Sequence, residues 1–398
     1  MMKRWVVFLF VFLLLMLGSK EAFGATGPEG QQSTNFGGES VASQLERIDV
    51  TELKVFWEDI VENYGGYLPE SQKGSFIDFI NGEKKFSFEE WVKGIARFAF
   101  QELMMNGQLL GTLIMLTLFS MFLQSIQNAF ESGTVSKVAY ALVYMVLIIL
   151  ALNSFRVAMD YAMDAIDTMI HFILALIPIL LALIASSGGL LSAAFFHPVL
   201  IFIMNTSGLM IKFIVLPLLF LSALLSIVST LNAEYKVTQL ANMLRNWSIG
   251  LLGAFMTIFL GVISVQGATA AVSDGITIRT AKFITGNFVP VIGRMFTDAA
   301  DTVISASVLL KNTVGVVGVA ILLMIVAFPA VQILMMAFIY KFSAALLQPL
   351  GGGPVIACLD IISKNIIYVF ASLAIVSLMF FLCLTIIITA GNITMMVR

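Results

Sequence analysis

Charge is what this chain lacks most. From residue 104 to the C-terminus only 12 Lys/Arg and 9 Asp/Glu interrupt 295 positions. The charge-free intervals are long: 138–155, 168–211, 213–233, 246–273, 312–340 and 365–397. A helix needs about 20 apolar residues to cross a hydrocarbon core of about 30 Å, and several intervals meet that length. A water-soluble chain of this size needs a charged outer surface, and there are too few charges here to build one. Cysteine is nearly absent as well. The two present, Cys358 and Cys383, lie close to the end of the chain, so no disulfide framework supports the N-terminal part. With two histidines and no Cys/His cluster, the composition points to no metal centre. Nor does any nucleotide fingerprint, His-Glu-x-x-His run or Ser/His/Asp spacing occur, so the expectation is of no catalytic set, no cofactor and no enzyme. Without a basic stripe, nucleic acid is not an expected partner.

What is present divides the chain in three. Residues 1–24 read as a secretory signal peptide. Lys3 and Arg4 precede a 13-residue apolar core at 5–17, and Ala22 and Gly24 offer small side chains for cleavage before Ala25. Thirteen residues are short for a span, which favours cleavage over a retained anchor. Residues 25–103 form an acidic extracytoplasmic segment, with 7 Lys/Arg against 14 Asp/Glu. A Gly/Gln/Ser-rich linker at 25–39 is followed by a helical apolar period over 40–64, a short helix at 76–80, and a third helix announced by Ser87 and Glu90 as a capping box. Phe88, Trp91, Ile95 and Phe98 on that third helix suit either a membrane-surface helix or a plain entry into the bilayer. Residues 104–398 are the polytopic membrane domain, with seven to eight spans near 108–127, 138–155, 168–186, 190–211, 213–231, 248–272, 314–337 and 366–390. Charged residues in 274–313 suggest a broken or re-entrant hairpin there. The expected fold class is therefore all-α: a polytopic helical membrane protein with a cleaved signal peptide and a small extracytoplasmic helical segment.

Two stripes of charge stand out against this background. Asp160, Asp164, Asp167 and His171 recur at i, i+4, i+7 and i+11, one edge of a helix entering an apolar tract. Carboxylates at bilayer depth mark polar pathways or partner sites, and the same stripe just above the bilayer is simply solvated. Arg294, Asp298 and Asp301 repeat the spacing, and DAIDTMI at 164–170 matches DAADTVI at 298–304 in five of seven positions. That match hints at an internal duplication, although other similar pairs require different offsets. Candidate helix breaks are Pro178, Pro290 and the run Pro349, Gly351, Gly352, Gly353 and Pro354, which reads as a tight turn or as backbone bared for close approach.

The run KFITGNFVPVIGRMFTDAADTVI at 282–304, together with SVLLKNTVG at 307–315, QPLGGGP at 348–354 and the tail GNITMMVR at 391–398, resembles the stage III sporulation protein AE family of endospore-forming Firmicutes. The resemblance implies a mother-cell membrane protein facing the forespore. It also implies partners: the other subunits of the sporulation stage III A complex and, through them, a forespore membrane partner. Lipid is the partner that the charge-free intervals themselves require, and a homo-oligomer is left open. The stage III A assembly is taken to be a secretion-like channel or feeding tube supporting late forespore gene expression, with ATP hydrolysed by a separate subunit. An autonomous secondary transporter using the Asp/His stripe is the alternative the residues leave open.

Overall fold

A computed structural model describes residues 51–69, 88–129, 134–231, 237–288, 292–350 and 353–396, all within one compact unit, 43–398. The signal peptide, the linker, the 76–80 helix, Ser87, Pro290, Gly351 and Gly352 lie outside the described residues. Among the described residues every regular element is helical: α1 (Thr51–Tyr64), α2 (Phe88–Met105), α3 (Gly107–Ala129), α4 (Thr134–Ser186), α5 (Leu190–Met210), α6 (Leu216–Leu231), α7 (Thr238–Phe288), α8 (Ile292–Leu347) and α9 (Pro354–Met396). A π turn, Ile211–Val215, joins α5 to α6, and a 3₁₀ turn, Gln348–Leu350, follows α8. Among the described residues, six stretches are long and apolar enough to cross a membrane: Gly107–Ile126, Val138–Ser186, Leu190–Thr230, Thr238–Thr277, Ile304–Leu347 and Pro354–Thr389.

The structure carries these apolar intervals on fewer, longer helices than hydropathy suggests. Residues 138–155 and 168–186 are two halves of α4, whose 53 residues run about 80 Å at 1.5 Å per residue. The charges between the halves do not break the helix because they share one edge. Ala158, Ala162, Ala165, Ile166, Met169 and Phe172 keep the opposite side apolar and buried. Likewise, 190–211 and 213–231 are one path, locally wound as a π turn at Lys212. Pro217, just beyond that turn, has no N–H to give the Phe213 carbonyl, and a wider turn is one way a membrane helix absorbs such a loss. Residues 274–288 complete α7 and 292–313 open α8, and 289–291 lie outside the described residues.

Sharp turns occur where the sequence provides the backbone for them. After α4, Gly188 takes φ 95°, and the Gly189 and Gly188 amides bond to the Ile184 (2.8 Å) and Ala185 (3.0 Å) carbonyls. This is the Schellman closure, for which glycine has no Cβ penalty. Pro354 opens α9 at the first helical position, where its missing N–H costs nothing.

Helices α4, α8 and α9 pack together as the centre. The α5–α6 path and α7 pack to one side, and α1, α2 and α3 join α4 and α8. Serine and tyrosine hydroxyls stitch the interfaces: Tyr340 donates to Ser154 Oγ (2.8 Å), Ser363 to the Ala337 carbonyl (2.9 Å), Ser222 to the Ala241 carbonyl (2.7 Å) and Ser248 to the Val215 carbonyl (3.0 Å). Small residues allow the approach, as expected where apolar burial against lipid supplies little drive. At Gly318 an added Cβ would meet Leu176 of α4 at 2.6 Å, whereas at Gly250 it would meet nothing within 4 Å. Gly318→Leu is therefore expected to lower stability by about 3 kcal/mol through overpacking, and Gly250→Leu to leave it unchanged. Thermal unfolding of the detergent-solubilised chain checks the pair, and equal melting temperatures would contradict the packing described.

Candidate functional site

One group of the membrane part's charged residues gathers around the middle of α4. Arg156, Asp160, Asp164, Asp167 and His171 do share one edge, which continues along the helix through exposed Pro178, Ala182 and Ser186. Two of the acids face cations. Arg156 Nε stands 4.0 Å from Asp160 one turn on, and Lys212 reaches from the π turn to Asp167. Asp164 and His171 are exposed. An α-helical register would aim Lys212 differently, so the π turn that accommodates Pro217 also sets this cross-helix pair. Arg245 of α7 lies over the Tyr368 ring at 5.0 Å, and Lys341 and Lys364 both reach Asp360 near the α8–α9 turn. Arg294, Asp298 and Asp301 stand on the opening turns of α8, and their side chains lie outside the described residues.

Sequence reasoning missed the way the acidic N-terminal segment joins this region. Leu53, Trp57 and Ile60 bury the inner side of α1. The Phe56 ring meets Phe172 of α4 edge-on at 5.5 Å, and Tyr64 stacks on Phe328 of α8 at 4.0 Å and 1°. Phe98 of α2 closes the cluster edge-on to both Phe328 (5.1 Å) and Tyr67 (5.1 Å). Burial, then Asp59, Tyr161 and Glu102 nearby, hold the Tyr64 hydroxyl above its ordinary pKa. Glu52, Glu58, Asp59 and Glu62 remain on the outer side of α1. The apolar period over 40–64 signalled the buried side, but no local pattern says which helix it meets.

A second missed residue is Asp274. It is 1 % exposed, and its carboxylate accepts the Leu191 and Ser192 amides, both at 3.0 Å. It therefore caps α5 from α7, satisfying two of the amides a helix start leaves open. A lone carboxylate at the edge of an apolar run was the available signal. Beyond it, buried Lys311 donates to the Ile388 carbonyl of α9 at 3.0 Å.

Of the candidate breaks, Pro178 is carried inside α4, Pro349 sits in the 3₁₀ turn, and Gly353 packs beside Gln124 of α3, where an added Cβ would lie 3.0 Å from its Oε1. The QPLGGGP run thus joins α8 to α9 with its last glycine against a third helix.

Comparison with known proteins follows the same whole-chain layout. A family model described as stage III sporulation protein AE matches residues 71–391. The curated stage III sporulation protein AE of Bacillus subtilis (strain 168) is 64% identical over 401 residues, spanning 100% of each chain. No solved structure matches.

Proposed function

The chain belongs to the stage III sporulation protein AE family, and we propose that it acts as a non-enzymatic, multi-pass subunit of the channel complex joining mother cell and forespore. The observation that carries this reading is the full-length relationship to a sporulation protein, combined with the six helices among the described residues that are long and apolar enough to span a bilayer. On this reading the chain resides in the mother-cell membrane around the forespore. Its partners are the other stage III A subunits and, through them, a forespore membrane protein. The net acidity of residues 25–103, with 7 Lys/Arg against 14 Asp/Glu, suits basic partner surfaces, because complementary charge steers association and fixes register.

Trp57 faces the bundle, so contact with partners is best probed from the exposed opening turn of α2. A photo-crosslinking side chain at Glu89, exposed on the opening turn of α2, in a tagged chain expressed in sporulating cells, is expected to capture other subunits of the complex. A chain that co-purifies and crosslinks with none of them would overturn the proposal.

The transporter alternative requires protonation along Asp164, Asp167 and His171. The structure favours it less, since Asp167 is committed to Lys212 and the edge is open along its length. Exposed and half-exposed pairs are worth under about 1 kcal/mol. Asp164→Asn and Asp167→Asn are thus expected to sporulate at the parent frequency, counted as heat-resistant spores. A collapse of spore yield in either variant would favour the relay.

A further inference from the structure

At one height the two sides of this bundle require different solvents. Phe56 against Phe172 and Tyr64 against Phe328 lay α1 alongside α4 and α8 within their apolar stretches. Its outer side carries Glu52, Glu58, Asp59 and Glu62 against a single lysine, Lys54. The neighbouring edge of α4 adds exposed Asp164 and His171.

Helices α5 and α7 reach the same height from the other direction. Gly208 of α5 backs onto Ile170, two residues from Phe172. The Ser248–Val215 and Asp274–Leu191 bonds hold α7 along α5 from below that level to above it. The outer sides there are apolar: Phe202 is 69% exposed, Leu209 59%, Ile258 64% and Val265 67%. Helix α1 packs on α4 and α8, whereas α7 packs on α5, α6, α8 and α9. The α4–α8 pair therefore stands between the acidic side and the α5–α7 side.

Carboxylates are not tolerated in hydrocarbon unless they face a cavity or a partner, and a contiguous apolar surface of this length is not left in water. Lipid satisfies α5 and α7; water must reach α1 and the α4 edge. Water at bilayer depth on one side of a helical bundle means an enclosed space. We propose that the outer side of α1 and the exposed edge of α4 form the wall of a water-filled passage, with the outer sides of α5 and α7 facing lipid at the same height. This deepens the channel-subunit reading by assigning the face that lines the conduit. The surplus of carboxylates makes that wall favour cationic solutes, as rings of acidic side chains do in cation pores.

The test is thiol accessibility in native membranes of sporulating cells. The parent chain serves as the blank because Cys358 and Cys383 are both buried. Glu58→Cys and Asp164→Cys are expected to react with a water-soluble, membrane-impermeant thiosulfonate supplied to both sides of intact membranes. Phe202→Cys and Ile258→Cys are expected to react only after detergent is added. At His171→Cys a cationic thiosulfonate should outpace an anionic one by more than it does at a free thiol. Reaction at all four of the first positions without detergent would place this height in bulk water and overturn the proposal. Protection of Glu58→Cys and Asp164→Cys until detergent is added would overturn it equally, and equal rates for the two reagents would remove the charge preference. None of these outcomes depends on co-purification, so a failed wall and a failed subunit assignment are distinguishable.

Discussion

Gly94→Ala is expected to destabilise the protein by about 3 kcal/mol, the range of core overpacking, although the change suits a helix. Inside α2, replacing glycine by alanine would ordinarily gain about 1 kcal/mol from backbone entropy. Here the added Cβ would lie 2.0 Å from the Tyr67 carbonyl oxygen and 3.2 Å from its carbon. A side chain could swing away from such a contact, but a backbone carbonyl in a tight turn moves only with its neighbours. That turn carries the Tyr67 ring, edge-on to Phe98, and follows Tyr64, which is edge-on to Phe98 and stacked on Phe328. Relieving the clash therefore loosens the attachment of α1 to α8. The expected result is a lower melting temperature in detergent and faster proteolysis between 65 and 69. Gly111→Ala in α3, where an added Cβ meets nothing within 4 Å, is the control and should hold or gain stability. A Gly94→Ala protein as stable as the control would show that the turn does not cross α2 this closely.

Asp274→Ala should cost a similar amount, about 3 kcal/mol, the upper end for a hydrogen bond to a charged group. The substitution leaves the Leu191 and Ser192 amides without their acceptor. Ser192 is fully buried, so water does not readily replace the carboxylate there. The loss also removes the favourable placement of a negative charge at the start of α5. Asn at this position keeps one acceptor oxygen and should retain roughly half of the stability at stake, by the same hydrogen-bond scale. Thermal unfolding of the parent, Asn and Ala proteins should follow that order. An Ala variant melting with the parent would mean the α4–α5 turn needs no tie to α7.

Much of the architecture was legible because lipid imposes a simple rule. Among the described residues the apolar intervals between charges are carried on helix, apart from the Ser187–Gly189 turn inside 168–211, and the QPLGGGP run joins α8 to α9. Helix continuity was not legible. Arg156 through His171 lower the local hydropathy without altering helix period, so a scale that averages along the chain divides α4 where the backbone does not. The α4 stripe was visible as a spacing, but its partner Lys212 was not. Asp167 and Lys212 are brought together by the antiparallel return of the chain and by the π turn.

The long uninterrupted apolar intervals determined that the bulk of this chain is helical and surrounded by lipid, because within one such run only a helix satisfies every backbone group, whereas a barrel strand would alternate apolar and polar residues. Composition determined the acidic character of the segment that precedes the first span. Only the tertiary structure decided where that segment rests, which glycines are squeezed and which are open, and that Asp274 caps a helix 83 residues away in the chain. The reason is that packing between helices depends on which faces meet at which height. Sequence period specifies a face for each helix, but the neighbour that covers it is set by the whole bundle at once.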